Sequence, residues 1–251
     1  MIRYTVPWDL VLGLTPHLVR GTRESITDFT AAICSRMKPA PRIEGLHRLP
    51  EDPRFVLIAN HYQRPGLWIL HTAAVLTQAI VDRYGAGEPP VRWVVTANWP
   101  PFRCGSLRFP NPGDRLLPRV AEVLSCYPVA FAGSNPKYSS ASIRRILRES
   151  RGWNRPLGIF PEGVGGVAGV LSAPLPGSGR LIRHLAERGM PVVPAAVSEP
   201  DGVLVEFGER IPVAELVEAQ DAAELALSRV ESILMMSPRQ ARLSGRNCGS
   251  V

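Results

Sequence analysis

The sequence predicts an α/β domain in which a mostly parallel sheet is flanked by helices. Short apolar runs that end near proline or glycine, such as residues 54–60 and 156–163, are typical of buried strands. Between these runs lie longer segments whose apolar residues recur at helical spacing. Strands that alternate with helices of this length indicate a layered domain. The 251 residues suffice to bury a sizeable core.

The predicted elements follow one another along the chain. Residues 1–20 are apolar and interrupted by prolines, and a helix is predicted at 24–37 because Ile26, Phe29 and Ile33 recur at helical spacing. The predicted strands are at 54–60, 91–97, 128–131, from Leu157 onward, 191–197 and 203–207. The further predicted helices are at 67–84, 116–126, 139–151, 180–188 and 214–236. We therefore divide the chain into an N-terminal helical segment (1–45), an α/β domain (46–237) and a flexible tail (238–251).

The chain is basic, with a formal net charge of +7. Ten Lys and Arg against three acidic residues between positions 101 and 155 account for this excess. The predicted helix at 139–151 places Arg144, Arg148 and Arg151 along one face. Such a surface suits an anionic partner: a phosphorylated donor, an acidic carrier protein or an anionic membrane surface. Nucleic acid is not expected, because the region lacks interleaved aromatic residues and a recognisable nucleic-acid-binding module.

Cysteine usage and hydropathy predict a cytoplasmic protein, either free or peripheral on the inner face of the membrane. The four cysteines are scattered without a Cys-x-x-Cys pair, which indicates free thiols in a reducing compartment and no zinc site. Prolines and Asp9 interrupt the apolar stretch near the N-terminus, so no signal peptide is predicted. No run approaches the roughly 18 apolar residues of a membrane span.

Two polar residues follow directly on predicted buried strands. His61 comes after the strand at 54–60, and Glu162 comes after the strand that begins at Leu157. Because ligands bind at the carboxyl ends of strands in open α/β sheets, both side chains are candidates for one cleft. A neutral imidazole there can take a proton from an attacking hydroxyl. The alternatives are a structural histidine and a turn glutamate that faces solvent.

Three blocks of sequence resemble the glycerol-phosphate and lysophosphatidate acyltransferase family. Residues 59–63 read Ala-Asn-His-Tyr-Gln, residues 160–163 read Phe-Pro-Glu-Gly, and residues 191–194 read Pro-Val-Val-Pro. The family's blocks are Asn-His-x-x-x-x-Asp, Phe-Pro-Glu-Gly-Thr-Arg and Pro-Val-Val-Pro, in the same order, and the resemblance covers roughly residues 54–211. It implies an O-acyltransferase of lipid metabolism that moves an acyl group from an acyl thioester, acyl-CoA or acyl carrier protein, to a hydroxyl. It implies no metal, cofactor or covalent enzyme intermediate.

The same resemblance implies roles for individual residues. His61 would deprotonate the acceptor and Glu162 would help to hold it. The acceptor would be of the lysophospholipid or glycerolipid type, and the protein would associate with a membrane surface. The residues expected to line the substrate site are Asn60, Arg64, Phe160, Pro161, Gly163 and Lys137.

The sequence departs from the family pattern where charges are expected. Gly66 stands at the position of the aspartate that orients the histidine, and Gly165 stands at the position of the arginine. Asp82 or Asp114 could replace the carboxylate. Arg64, Lys137 or the arginines at 144, 145 and 148 could replace the missing phosphate ligands. A second hypothesis is a catalytically weak relative that binds lipid or acyl carrier protein, and a third is an enzyme for a non-phosphorylated alcohol or amine.

One competing motif is Gly-x-Gly-x-x-Ala at residues 163–168, which is typical of a dinucleotide-binding loop after a strand. Pro161 and Glu162 intervene between the strand and this motif, and Glu162 would place a negative charge beside a pyrophosphate. Pro174 and Pro176 follow, so no helix is predicted to open there. The acyltransferase hypothesis is therefore favoured over dinucleotide binding.

Overall fold

A computed structural model describes residues 2–5, 7–87, 89–97, 102–104, 107–109, 113–130, 137–163 and 171–236. Its strands are β1 (Arg42–Glu44), β2 (Val56–Ala59), β3 (Arg92–Thr96), β4 (Phe102–Cys104), β5 (Leu107–Phe109), β6 (Tyr127–Val129), β7 (Leu157–Ile159), β8 (Val192–Ser198) and β9 (Leu204–Phe207). Its α-helices are α1 (Trp8–Gly13), α2 (Thr15–Arg20), α3 (Ile26–Ser35), α4 (Ile69–Tyr84), α5 (Gly113–Val123), α6 (Lys137–Glu149), α7 (Ser178–Glu187), α8 (Val213–Glu218) and α9 (Ala222–Met236). Short 3-10 turns are found at Leu46–Arg48 and Ser150–Gly152.

The described strands form a seven-stranded sheet and a separate hairpin. The sheet order is β1-β9-β8-β2-β7-β3-β6, and β4 pairs with β5 in the hairpin. Strands β8, β2, β7, β3 and β6 run parallel to one another. Only the β8–β9 pairing in the sheet is antiparallel, so β9 and its parallel neighbour β1 run in the opposite direction. The predicted α/β class with a mostly parallel sheet and flanking helices is confirmed.

The central strand β2 shows why the sheet needs helices on both faces. All four of its residues are buried, and successive side chains point to opposite faces of a strand. Leu57 and Ala59 belong to a core that includes residues of α3 and α4. Val56 and Ile58 belong to a second core that includes residues of α7 and α9. Burial on both faces explains the continuous apolar run in the sequence.

The predicted element boundaries agree with the structure except in three places. Strand β1 was not predicted, and because it pairs with β9, the proposed boundary at residue 45 falls directly after a strand of the sheet. The segment between the predicted strand at 91–97 and the predicted helix at 116–126 contains the β4–β5 hairpin. The predicted helix at 214–236 is two helices, because Asp221 Oδ1 accepts a hydrogen bond from Ala223 N–H at 2.7 Å and caps a new helix there.

None of the helices in the described part of the chain is long and apolar enough to cross a membrane. The proposed tail at 238–251 and most of the Gly-x-Gly-x-x-Ala motif, residues 164–168, lie outside the described residues. The first described helix after β7 is α7, which begins only at Ser178.

Candidate active site

The sheet brings the two candidate polar residues together. Strands β2 and β7 are parallel neighbours, with Ile58 paired to Ile159. The two strands therefore end at the same edge of the sheet, where His61 and Glu162 follow them. The His61 backbone N–H donates a hydrogen bond to Glu162 Oε1 at 2.7 Å. The two strand exits that were predicted to meet are thus joined by a direct hydrogen bond.

Glu162 is bound on both carboxylate oxygens and is shielded from solvent. Glu162 is only 2% exposed. Its Oε2 accepts a hydrogen bond from the Ser172 backbone N–H at 2.6 Å. Hydrogen bonds to a charged acceptor are among the stronger ones in proteins. The alternative of a solvent-facing turn glutamate is therefore wrong. The contacts favour a positioning role, in which Glu162 joins the loop after β2 to the segment around Ser172.

The turn after β7 requires the residues that the sequence places there. Gly163 N–H donates to Phe160 O at 3.1 Å, and Leu175 N–H donates to Pro161 O at 2.8 Å. Gly163 has a φ of +65°, and a Cβ there would lie 2.1 Å from Leu175 Cδ1. Only glycine meets both conditions, so Gly163 and Pro161 serve the shape of the turn.

Aromatic rings form one wall around His61. The Phe160 ring stacks on Trp93 with centroids 4.9 Å apart and planes at 8°. The His61 ring meets Phe160 edge-on, with centroids 5.6 Å apart and planes at 74°. Phe160 therefore contacts the candidate base directly, whereas its contact with a substrate remains a prediction.

The His61 imidazole has the protonation state that a general base needs. Burial lowers the pKa of His61 below its ordinary value, since a charged imidazolium loses hydration in a partly apolar site. The ring is therefore neutral near pH 7. Its Nδ1 is buried and has no hydrogen-bond partner among the described residues, so no described carboxylate orients the ring.

Gly66 occupies a tight turn in which an aspartate would be strained. Arg64 and Leu67 exchange backbone hydrogen bonds at 2.9 Å in both directions. Pro65 and Gly66 are the central residues, and the φ of Gly66 is +83°, as in a type II turn. A Cβ at Gly66 would lie 2.9 Å from Arg3 Cγ. The backbone conformation at this position therefore favours glycine over the aspartate of the family pattern.

Two residues predicted to bind substrate are occupied with the protein itself. The Arg64 guanidinium forms a buried ion pair with Glu199, so it is not free to hold a phosphate. The Asn60 side chain donates to Val197 O at 3.0 Å and accepts from Val197 N–H at 2.7 Å. Asn60 therefore joins the end of β2 to β8. The polar groups of both side chains are thus engaged within the protein, and substrate binding by Arg64 or Asn60 stays a prediction.

The candidate replacement charges lie elsewhere or outside the described side chains. Asp82 accepts a hydrogen bond from Gln78 at 2.8 Å and is exposed. It lies about 20 Å along α4 from the end of that helix that adjoins the His61 loop, so it does not orient His61. Arg145 is paired with Glu149 at 2.7 Å. Side chains whose placement is not described include Asp114 and Lys137, and Gly165 is not described at all.

Three residues of this region were not identified from the sequence: Glu199, Trp93 and Ser172. Glu199 directly follows β8, so the rule that identified His61 and Glu162 would also have found it. Trp93 lies within β3 and resembles an ordinary core aromatic residue. Ser172 contributes only its backbone N–H, which no side-chain pattern reveals. Among the described residues, no group of three or more His, Cys, Asp or Glu side chains lies close enough to hold a metal ion.

The architecture is that of a layered α/β protein with its candidate site at the carboxyl ends of the central strands. No family model matches the chain, and no curated protein matches it. A solved structure that is similar is the crystal structure of the 1-acyl-sn-glycerophosphate (LPA) acyltransferase, PlsC, from Thermotoga maritima. The TM-score is 0.53 at 12% sequence identity, over 85% of this chain and 79% of the bacterial enzyme. At this identity the likeness establishes a shared fold.

Proposed function

We propose that this protein is an acyltransferase that moves a fatty acyl group from an acyl thioester to an acceptor hydroxyl, with His61 as the general base. The observation that carries the proposal is the position of His61. Its neutral, half-buried imidazole follows the central strand β2 and is bonded through its backbone to Glu162 at the end of β7. The fold shared with an LPA acyltransferase supports the same reaction class.

The chemistry balances without any further group. His61 accepts the proton of the acceptor hydroxyl while the oxygen attacks the thioester carbonyl carbon. The C–O bond of the new ester forms, the C–S bond breaks, and the imidazolium returns its proton to the departing thiolate. A histidine in this role typically contributes about 10²–10⁴-fold to the rate. The acyl thioester is a substrate, so we propose no cofactor.

We further propose a lipid acceptor that is reached at a membrane surface. The support is a set of exposed apolar side chains near the loop that carries His61. Trp8 and Leu12 are 56% and 66% exposed, and Trp68, at the start of α4, is 44% exposed. The Trp8 and Trp68 rings touch edge-on with centroids 5.7 Å apart. Exposed tryptophans suit the boundary between water and lipid, because their rings are apolar and carry a polar N–H.

Two classes of acceptor are compatible with the proposed reaction. A lysophospholipid or glycerolipid would follow the family resemblance. A non-phosphorylated alcohol or amine is favoured by the pairing of Arg64 with Glu199, since this arginine is not available to a phosphate.

A second candidate function is binding of lipid or acyl carrier protein without transfer. It is favoured by the unpaired Nδ1 of His61 and by the turn at Gly66, which leaves the imidazole without a described carboxylate. Removing the orienting carboxylate of a serine-protease triad lowers turnover about 10⁴-fold. A protein with a comparable loss of turnover would still bind its ligand but would catalyse little acyl transfer.

Free-thiol release from an acyl thioester distinguishes the two candidates. Long-chain acyl-CoA and acyl carrier protein loaded with a long-chain acyl group would each be offered with lysophospholipid, monoacylglycerol, a simple alcohol, an amine or no acceptor. Wild type would be compared with His61→Ala and with His47→Ala, a control in which an exposed histidine is removed. Acceptor-dependent release that disappears only in His61→Ala supports the transferase. Silence with both donors, together with saturable binding of either one, supports the binding function.

A further inference from the structure

A buried ion pair lies beside the loop that carries His61. Arg64 and Glu199 have side chains that are only 6% and 7% exposed. Arg64 Nε donates to Glu199 Oε2 at 2.5 Å, and its Nη2 bonds the other carboxylate oxygen. Glu199 follows β8, the sheet neighbour of β2. The pair therefore connects the exits of two neighbouring strands in a two-point geometry that fixes direction as well as distance.

The same guanidinium also binds the N-terminal segment. Arg64 Nη2 donates to Ile2 O at 2.5 Å, and Nη1 donates to Pro65 O at 2.8 Å. Two residues further along, Tyr4 N–H donates to Gly66 O at 2.7 Å. The N-terminal segment therefore binds the loop at 61–67 through Arg64 and Gly66, and Glu199 binds the same loop through Arg64.

Tyr62, the residue directly after His61, is also held in place. Burial, and then the nearby Glu199 carboxylate, raise the pKa of the Tyr62 hydroxyl. The Tyr62 carbonyl oxygen accepts a hydrogen bond from Thr72 Oγ1 at 2.9 Å. The backbone on both sides of Tyr62 is thus fixed, by Glu162 at His61 and by the ion pair at Arg64.

A buried ion pair is a poor source of stability, because desolvation of two charges offsets most of their attraction. In some proteins such a pair instead defines a local geometry. Here that geometry belongs to the loop of a histidine whose Nδ1 has no described carboxylate partner. The direction of the imidazole therefore depends on its backbone and on the edge contact with Phe160.

We propose that Arg64 and Glu199 are positioning residues for His61. By holding the loop at 61–67 against β8 and the N-terminal segment, the pair fixes the backbone from which the imidazole projects. This compensates for the absent carboxylate at position 66. The catalytic consequence rests on the proposed acyl transfer, whereas the effect on the imidazole itself does not.

The test is the double variant Arg64→Met/Glu199→Gln. It removes both charges together and so avoids an uncompensated buried charge. The matched control is Arg48→Met/Glu206→Gln, because Arg48 likewise bonds a backbone carbonyl, Phe207 O at 2.6 Å, and faces a glutamate at 3.5 Å. The control pair is separated from the His61 loop across the sheet, since Glu206 lies in β9 and β8 stands between β9 and β2. Thermal unfolding, kcat and KM for thiol release, and the NMR titration of the ¹⁵N-labelled His61 ring would be measured for each.

We expect the double variant to fold with kcat lowered by about 10²-fold, the loss that a misplacement near 1 Å can cause. KM should change less than kcat, and the His61 titration should shift. The control should match wild type in kcat and titration. If the double variant does not fold, Arg64→Lys, which keeps the charge and loses the two-point geometry, is expected to show a smaller loss of kcat and a smaller shift.

A folded double variant with wild-type kcat and an unchanged His61 titration would overturn the proposal, and so would the same result for Arg64→Lys where that variant is needed. If wild type transfers no acyl group, the proposed function fails while the positioning claim is still decided by the titration. A shifted His61 titration then supports positioning, and an unchanged titration contradicts it.

Discussion

The exits of strands β2 and β7 lie side by side, carry comparable polar residues, and use them in different ways. At the β7 exit, Glu162 is buried and both of its carboxylate oxygens bind backbone N–H groups. At the β2 exit, the backbone of His61 is bonded while the ring nitrogen Nδ1 has no described partner. The carboxylate serves the architecture of the site, and the imidazole is left available for chemistry.

This contrast distinguishes two residues that share one sequence feature, a position directly after a buried strand. A carboxylate whose two oxygens each accept a backbone hydrogen bond is fixed in position, so it is well suited to hold two loops together. An imidazole kept neutral by burial is suited to accept a proton. We therefore propose a positioning role for Glu162 and proton transfer for His61 alone.

The largest structural effect is expected for Glu162→Gln. Glutamine has one acceptor oxygen, so either the His61 or the Ser172 N–H would lose its partner. With about 1.5–3 kcal/mol for a hydrogen bond to a charged group, the free energy of unfolding should fall by roughly 3 kcal/mol. Because the backbone of His61 is released, kcat should also fall by about 10-fold or more. Urea unfolding and thiol release measure the two effects.

The control for that variant is Ser172→Ala, which keeps the backbone N–H that binds Glu162. Its free energy of unfolding should stay within about 0.5 kcal/mol of wild type. A Glu162→Gln protein as stable as wild type would mean that the carboxylate does not hold the two exits together.

A smaller effect is expected for Gly66→Asp, which restores the family carboxylate at the β2 exit. The sequence suggests that this change could increase activity. The structure predicts otherwise, because the φ of +83° strains a residue with a Cβ by about 1–2 kcal/mol, and Arg3 lies against the new side chain. We expect lower stability and no gain in kcat. Gly66→Ala separates strain from charge, and a kcat for Gly66→Asp above those of both wild type and Gly66→Ala would refute this account of the turn.

The smallest effect concerns pH. Because burial lowers the pKa of His61 in the folded state, the acid limb of kcat/KM should lie below the ordinary histidine value of about 6.5. The unfolded chain binds this proton more readily than the folded chain does, so the stability due to neutral His61 is lost as pH falls below about 6.5. His71 is also buried and has a lowered pKa, and His61→Gln therefore isolates the contribution of His61. An acid limb above pH 6.5 would contradict the assignment.

The sequence predicted the sheet and the meeting of His61 with Glu162 because both follow from local patterns. Apolar runs identify buried strands, and parallel neighbours end at the same edge. The order of the strands and the short strand β1 were not predictable from the sequence. Strand β1 is held by pairing with β9, and the paired residues Arg42 and Leu204 are 162 positions apart in the sequence.

The uses of the polar side chains were less predictable than their positions. Arg64 carries the charge expected of a phosphate ligand, yet its partner is Glu199, which is distant in the sequence. Asn60 similarly binds the backbone of Val197. Such pairings depend on tertiary geometry, so a motif can place a side chain at a strand exit without revealing whether it contacts substrate or protein.

The most direct test of the central claim compares activity and stability in His61→Ala. Formation of the esterified acceptor from an acyl thioester would be followed by mass spectrometry, and the free energy of unfolding would be measured on the same samples. We predict a loss of transfer of about 10²–10⁴-fold with an unfolding free energy within about 1 kcal/mol of wild type, because the ring makes no described hydrogen bond at Nδ1. Wild-type transfer by a folded His61→Ala protein would contradict the account.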